Sequence, residues 1–183
     1  MSFIEREFME VGLRGREVVF LGDSITAGGA WHEWFPDVPV VNRGIDGDTT
    51  DDVLSRLDSV ISEPSKVFLL IGTNDLTFRR PIEQVFANQR SIIEGILTRA
   101  PRASLLVQSV MPRTREFRAR LDQLNARYSA LVDEFGATYV DLWPALSTPE
   151  GEMDPAFSLD RLHLNEAGYR AWTTVLQPLV RSA

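Results

Sequence analysis

The sequence predicts an α/β domain built on a mainly parallel sheet, and three observations lead there. Five short runs, residues 17–21, 38–42, 66–71, 104–110 and 138–142, are rich in Val, Leu, Ile and Phe and alternate little. Strands covered on both faces look like this. Helical patterns lie between the runs, and strand and helix alternate along the whole chain, which calls for right-handed crossovers with helices on both faces. In such sheets a ligand binds outside the carboxyl ends of the strands, at the point where the strand order reverses.

The helices are justified one by one. After Thr49 and Thr50, the residues Val53, Leu57, Val60 and Ile61 recur at helical spacing, and Thr49 with Asp52 has the spacing of a capping box. From Pro81, a favourable first-turn residue, the apolar set is Ile82, Val85, Phe86, Ile92, Ile93, Ile96 and Leu97. From Phe117 it is Leu121, Leu124, Tyr128, Leu131, Val132 and Phe135, closed by Gly136. A last helix starts after Asn165 as cap and carries Tyr169, Trp172, Val175 and Leu176; Pro178 should bend or end it. The longest irregular stretch is Ser147 to Leu159, either a rim over a cleft or a surface loop.

Composition narrows the function. The 183 residues fit a single domain spanning 1–183 with a core that needs no staples. The absence of cysteine excludes disulfides, thiolate catalysis and cysteine-ligated zinc. A net charge of -7 gives no attraction to phosphate backbones or anionic membranes, so nucleic acid is not expected as a partner. Charges interrupt the start, Met1 to Phe8, so no apolar leader core is read there, and no apolar run is long enough to span a bilayer. The expected location is the cytoplasm. Only two histidines exist, His32 and His163, and any imidazole chemistry must use one of them.

The polar residues just after the strands are then the ones to read. Gly22-Asp23-Ser24-Ile25-Thr26 follows the first strand; it lacks the Gly-Lys-Ser/Thr of a phosphate loop and the second glycine of a Gly-x-Ser-x-Gly elbow. Ser24 at a sheet edge is a nucleophile or an ordinary helix cap. Asn42-Arg43-Gly44-Ile45-Asp46-Gly47-Asp48 follows the second strand, and its glycines either expose backbone N–H groups or form a flexible turn. Gly72-Thr73-Asn74-Asp75 follows the third, with Asn74 a cleft amide or an Asx turn. Before the last helix, Asp160 stands three residues ahead of His163, a spacing that lets the carboxylate reach back to the imidazole and orient it as a base. His32 has no such carboxylate. It sits among Trp31, Trp34 and Phe35 and is read as lining or packing a wall of the site, where the aromatic cluster suits a sugar or an acyl group. Together these residues supply the parts that acyl transfer needs.

At these residues the chain resembles the SGNH (GDSL-like) hydrolases, with four blocks in family order: Gly22 to Thr26, Gly44, Gly72 to Asp75, and Asp160 with His163. The resemblance implies a flavodoxin-like three-layer α/β/α sandwich with a five-stranded sheet in the order 2-1-3-4-5. It implies Ser24 as nucleophile, His163 as base, Asp160 as its orienter, and an oxyanion hole from the N–H groups of Ser24 and Gly44 with the amide of Asn74. Asp23 takes a supporting role. No metal or organic cofactor is implied. Gly47-Asp48-Thr49-Thr50 and Met111-Pro112-Arg113 are similar to the branch containing platelet-activating-factor acetylhydrolase catalytic subunits, which points to short acyl, chiefly acetyl, esters of small molecules and to a carbohydrate O-acetylesterase. The alternatives are a long-chain thioesterase or lysophospholipase on the same scaffold, and a non-catalytic flavodoxin-like binding module. Arg113 and Arg161 are each a candidate contact to an anionic substrate group or a solvated surface arginine. Arg161 departs from the glycine that many members carry after the last-block Asp.

Overall fold

The computed structural model describes residues 17–61 and 63–182. The stretch Met1 to Phe8, read above for a leader, lies outside the described residues. Five parallel strands form one sheet in the order 2-1-3-4-5: β1 (Val18–Gly22), β2 (Val40–Gly44), β3 (Lys66–Leu70), β4 (Ser104–Gln108) and β5 (Thr138–Val140). Gly22 pairs with Gly44 on one side and with Leu70 on the other, so β2, β1 and β3 end level. The loops after β1, β2 and β3 therefore emerge side by side at the place where the strand order reverses.

Alternation along the strands sorts the core into two layers. Val19, Leu21, Val67, Leu69, Leu105 and Val107 face one side. They pack against α3 (Thr50–Val60), α5 (Ile82–Arg99) and α6 (Arg118–Phe135), through Val53, Leu57, Ile92, Ile96, Leu121 and Leu124. Phe20, Phe68, Leu70 and Leu106 face the other side and meet Trp31, Phe35, Leu146, Trp172 and Leu176. Those residues come from α2 (Trp31–Trp34) and its following turn, α7 (Trp143–Leu146) and α8 (Glu166–Arg181). Two short helices, α1 (Ser24–Ala27) and α4 (Thr73–Thr77), begin where β1 and β3 end.

The caps follow the sequence signals. Thr49 N–H donates to the Asp52 carboxylate at 2.9 Å and closes the capping box of α3. Gly136 adopts φ +63° after α6, the left-handed turn that favours glycine. Asn165 Oδ1 accepts from Gly168 N–H at 3.0 Å and starts α8. Three expectations need correction. β2 begins at Val40 rather than Val38, because Val38 N–H closes a turn onto Phe35 O. β4 stops at Gln108, and the Asn125 side chain takes both the N–H and the carbonyl of Val110 beyond it. Pro178 does not end α8, which continues to Arg181; proline costs one N–H there, while Lys66 Nζ from β3 gathers the carbonyls of Leu179 and Ser182 and secures the last turn. Among the described residues no helix is long and apolar enough to cross a membrane.

Candidate active site

The end of β1 leads straight into the site. Asp23 accepts from Ile25 N–H at 3.0 Å as the N-cap of α1, which places Ser24 in the first turn. α1 is held from below by Tyr169 of α8, whose hydroxyl donates to Ile25 O at 2.7 Å. Gly22 is required where it stands: a Cβ there would come within 2.3 Å of Leu70 O and of the Thr26 hydroxyl oxygen.

Ser24 and His163 meet although 139 residues separate them: Ser24 Oγ lies 3.0 Å from His163 Nε2. His163 Nδ1 lies 2.7 Å from Asp160 Oδ2. A carboxylate only accepts, so Nδ1 carries the proton and Nε2 is left as the acceptor for the Ser24 hydroxyl. The second oxygen, Asp160 Oδ1, accepts from Leu162 N–H at 2.9 Å and His163 N–H at 2.8 Å, an Asx-type turn that fixes the ring to its own carboxylate. Burial alone would raise the Asp160 pKa, but the bonds from the His163 ring, the His163 and Leu162 N–H groups and the Ser158 hydroxyl together hold it well below the usual carboxylate range. Ser158 is a residue the sequence reading missed. Its buried hydroxyl donates to Asp160 Oδ1 at 3.1 Å and accepts from Leu162 N–H at 3.0 Å. The Asp160 and His163 side chains are 54% and 51% exposed, so the site opens at the surface.

Arg161 lies inside this turn at φ +61°, the left-handed region. A Cβ in this region costs about 1–2 kcal/mol. Arg161 Nη1 donates to Met153 O at 2.8 Å. Met153 N–H in turn donates to Arg113 O at 3.0 Å. The stretch from Ser147 onward is thus pinned between the turn that carries Asp160 and His163 and the loop after β4, with an isolated bridge from Ser147 to Met153.

The oxyanion side requires a correction. Asn74, on α4, donates through Nδ2 to Asp48 O at 2.8 Å, which brings its amide against the turn after β2. Gly44 does not offer a free donor there: its N–H is taken by Asn42 Oδ1 at 2.9 Å. A Cβ at Gly44 would lie 2.2 Å from Ala27 N, so this glycine serves close packing of β2 against α1. Gly47, three residues on, is placed differently. It is exposed, adopts φ +83° in the Ile45–Asp48 turn closed by Asp48 N–H to Ile45 O, and has open space around its Cα. Among the described residues neither Gly47 N–H nor Ser24 N–H is bonded to an acceptor in the chain.

The remaining expected contacts divide. Trp31 is 1% exposed, stacks on Phe20 with centroids 3.9 Å apart and donates to Thr26 O at 3.0 Å; it is a core residue and lines no wall. The His32 side chain is 78% exposed with its Nε2 3.8 Å from Glu33, away from the core aromatics beside it. Arg113 does come near the site. It donates to Thr77 Oγ1 at 2.7 Å, its guanidinium lies 3.7 Å over the Phe117 ring, and it feels the charges of Asp160 and Asp23. Among the described residues no cluster of three His, Cys, Asp or Glu side chains is arranged to hold a metal. A cavity of about 500 Å³ lies between Glu63–Lys66 and Ala100–Ser104, at the amino ends of β3 and β4, the wrong end of the sheet for this chemistry.

Asp23 is 1% exposed, and its carboxyl is pushed up to about 7, chiefly by burial, with Ile25 N–H opposing and the Asp48 charge adding. The folded state then binds the proton more tightly than the unfolded chain, so stability from this group falls as pH rises from about 4 to about 7 and levels off above. Asp23→Asn keeps the acceptor for Ile25 N–H without the charge. Its unfolding midpoint relative to wild type should climb across that window in thermal melts; a difference independent of pH would show that Asp23 is not a buried, proton-holding acid.

Comparisons with known proteins give the family. The model of the GDSL-like lipase/acylhydrolase family matches residues 20–171, and the chain belongs to that family. It is therefore an ester-hydrolysing enzyme. Among its relatives, the platelet-activating factor acetylhydrolase IB subunit alpha1 of Bos taurus is 30% identical over 90% of this chain and 75% of its own length. The alpha2 subunit from the same organism is 31% identical over 90% and 76%. A solved Streptococcus pneumonia structure named after platelet activating factor has a TM-score of 0.88 at 27% identity, covering 97% of this chain and 91% of its own. An acetylxylan esterase from Geobacillus stearothermophilus shares the fold, with a TM-score of 0.76 at 20% identity over 92% and 95%.

Proposed function

We propose that the protein is a serine esterase that removes short acyl groups, chiefly acetyl, and that its physiological substrate is an O-acetylated carbohydrate. The single observation that carries the mechanism is the chain of bonds from Ser24 through His163 to Asp160. His163 Nε2 takes the proton of Ser24 as Oγ attacks the ester carbonyl. Asp160 holds the ring in the required tautomer and stabilises the imidazolium. The oxyanion is received by Ser24 N–H, the Asn74 amide and, in place of Gly44, the N–H of Gly47. Collapse expels the alcohol, which takes the proton back from His163, and water activated by the same ring then releases the acid.

Two observations support the substrate class. The reacting groups lie at the surface, which admits a bulky alcohol part such as a sugar. Relatives named acetylhydrolase and a structural neighbour named acetylxylan esterase act on acetyl groups, as their names state. A series of p-nitrophenyl esters from acetate to octanoate, run beside acetylated sugars, tests this reading. kcat/KM should be greatest for acetyl and fall as the chain grows. A rise toward octanoate would replace the reading with a long-chain thioesterase or lysophospholipase. Removing one donor by Asn74→Ala should lower kcat by about 10²–10³-fold; an unchanged kcat would take Asn74 out of the oxyanion hole.

A further inference from the structure

A buried arginine lies directly beneath the oxyanion turn, in contact with none of the reacting groups. Arg56 of α3 is 5% exposed. Its Nε donates to Asp48 Oδ2 at 2.7 Å, and its Nη2 donates to Gly22 O at 3.1 Å and Arg43 O at 2.9 Å. These three acceptors belong to three different parts of the site. Gly22 ends β1, one residue before Asp23 and two before Ser24. Arg43 is the penultimate residue of β2. Asp48 follows Gly47, and its own carbonyl accepts the Asn74 amide at 2.8 Å. One planar guanidinium thus ties the ends of β1 and β2, which lead to Ser24 and to the Gly47 turn, to the carboxylate of Asp48, the residue whose carbonyl accepts Asn74 Nδ2.

We infer that Arg56 is the positioning residue of the oxyanion hole, acting through Asp48 and the ends of β1 and β2. This rests on the oxyanion reading above. The chemistry of the side chain suits this role, because a guanidinium presents several donors in a rigid fork, whereas a lysine ammonium is a point charge on a flexible stem. The Arg56 and Asp48 side chains are 3% and 10% exposed. Burying such a pair costs desolvation of both ions, and their attraction repays it only in good geometry, so the net gain in stability is small. What the pair supplies is a fixed height for the turn. A second tie acts from the other side: buried Asp75 accepts from Thr50 N–H at 3.0 Å and from Thr50 Oγ1 at 2.7 Å, which joins α4 to the start of α3. Asn74 is therefore held by Asp48 O on one side and by its neighbour Asp75 on the other, and Arg56 sets where Asp48 O lies. A catalytic donor misplaced by about 1 Å can cost about 10²-fold in rate.

The test uses the intact protein with p-nitrophenyl acetate and three variants, Arg56→Lys, Arg56→Met and Asp48→Asn, each checked for folding by circular dichroism. Asp48→Asn leaves the carbonyl that receives Asn74 in place and removes only the charge under the turn. In the folded variants kcat should fall, by about 10-fold for lysine and about 10²-fold for methionine, with KM little changed, since the contacts at stake belong to the transition state. The same substitutions in an Asn74→Ala background should cost less, because one of the three donors they position is already gone. A folded Arg56→Lys with wild-type kcat, or an equal loss in both backgrounds, would overturn the inference. If Arg56→Met does not fold, Arg56→Lys and Asp48→Asn decide by the same criteria. Full activity of Asn74→Ala would instead break the oxyanion reading itself, whereas an impaired Asn74→Ala beside unaffected Arg56 variants would break only the role of Arg56.

Discussion

Replacing Ser24 with alanine is expected to lower kcat for p-nitrophenyl acetate by about 10⁴- to 10⁶-fold, the range seen when the nucleophile of an acyl-transfer unit is lost. The effect should fall on chemistry alone. Ser24 is half-buried, its N–H remains as a donor in the variant, and Asp23 still caps α1 through Ile25 N–H, so the helix start and the fold should survive. Melting temperature and KM are the controls. Turnover in purified Ser24→Ala close to that of wild type would show that the covalent step is assigned to the wrong oxygen.

The two histidines give the second large effect, and a built-in comparison. His163→Ala is expected to cost as much as Ser24→Ala, about 10⁴- to 10⁶-fold, and the double variant no more than either single, because nucleophile and base act as a unit. His32→Ala should leave kcat unchanged, since its side chain stands in solvent beside Glu33. Steady-state kinetics on the four proteins checks this. A deep loss with His32→Ala, or independent losses that multiply in the double variant, would contradict the assignment.

Much of the site was legible because its pieces are local or lie at strand ends. Asp160 and His163 are three residues apart, and the turn between them uses side-chain to backbone bonds that this spacing dictates. Ser24 and Asn74 stand directly after apolar runs, and the level ends of β1, β2 and β3 do the rest. The glycine proposed for the oxyanion hole was not legible. Gly44 and Gly47 lie in one segment, and the choice between them depends on a side chain, Asn42, whose carbonyl oxygen occupies the Gly44 N–H. The Gly47-Asp48 pair beside a threonine run was the available signal. It gained meaning only when the Asn74 amide was found on Asp48 O.

The aromatic cluster misled for a different reason. α2 has four residues, too few for a hydrophobic period to show which side faces inward. Trp31 turned into the core onto Phe20 and Trp172, and its neighbour His32 turned out. Arg56 was invisible in the sequence because one arginine on an amphipathic helix reads as surface charge; only the three carbonyl and carboxylate oxygens around it mark its role. Of the two outcomes expected at Pro178, an end or a bend, the end does not occur; Lys66, more than a hundred residues earlier in the chain, holds the carbonyls of Leu179 and Ser182 beyond it.

Labelling with a fluorophosphonate decides whether Ser24 is the activated nucleophile, because the reagent reacts with a serine only when a base and an oxyanion hole activate it. After labelling and proteolysis, mass spectrometry should find the phosphonyl group on Ser24, with one label per chain, loss of esterase activity in step with labelling, and no label on Ser24→Ala or His163→Ala. Full esterase activity in protein that takes up no label, or a label on another residue that accounts for the inactivation, would contradict the assignment of Ser24, His163 and Asp160 as the reacting unit.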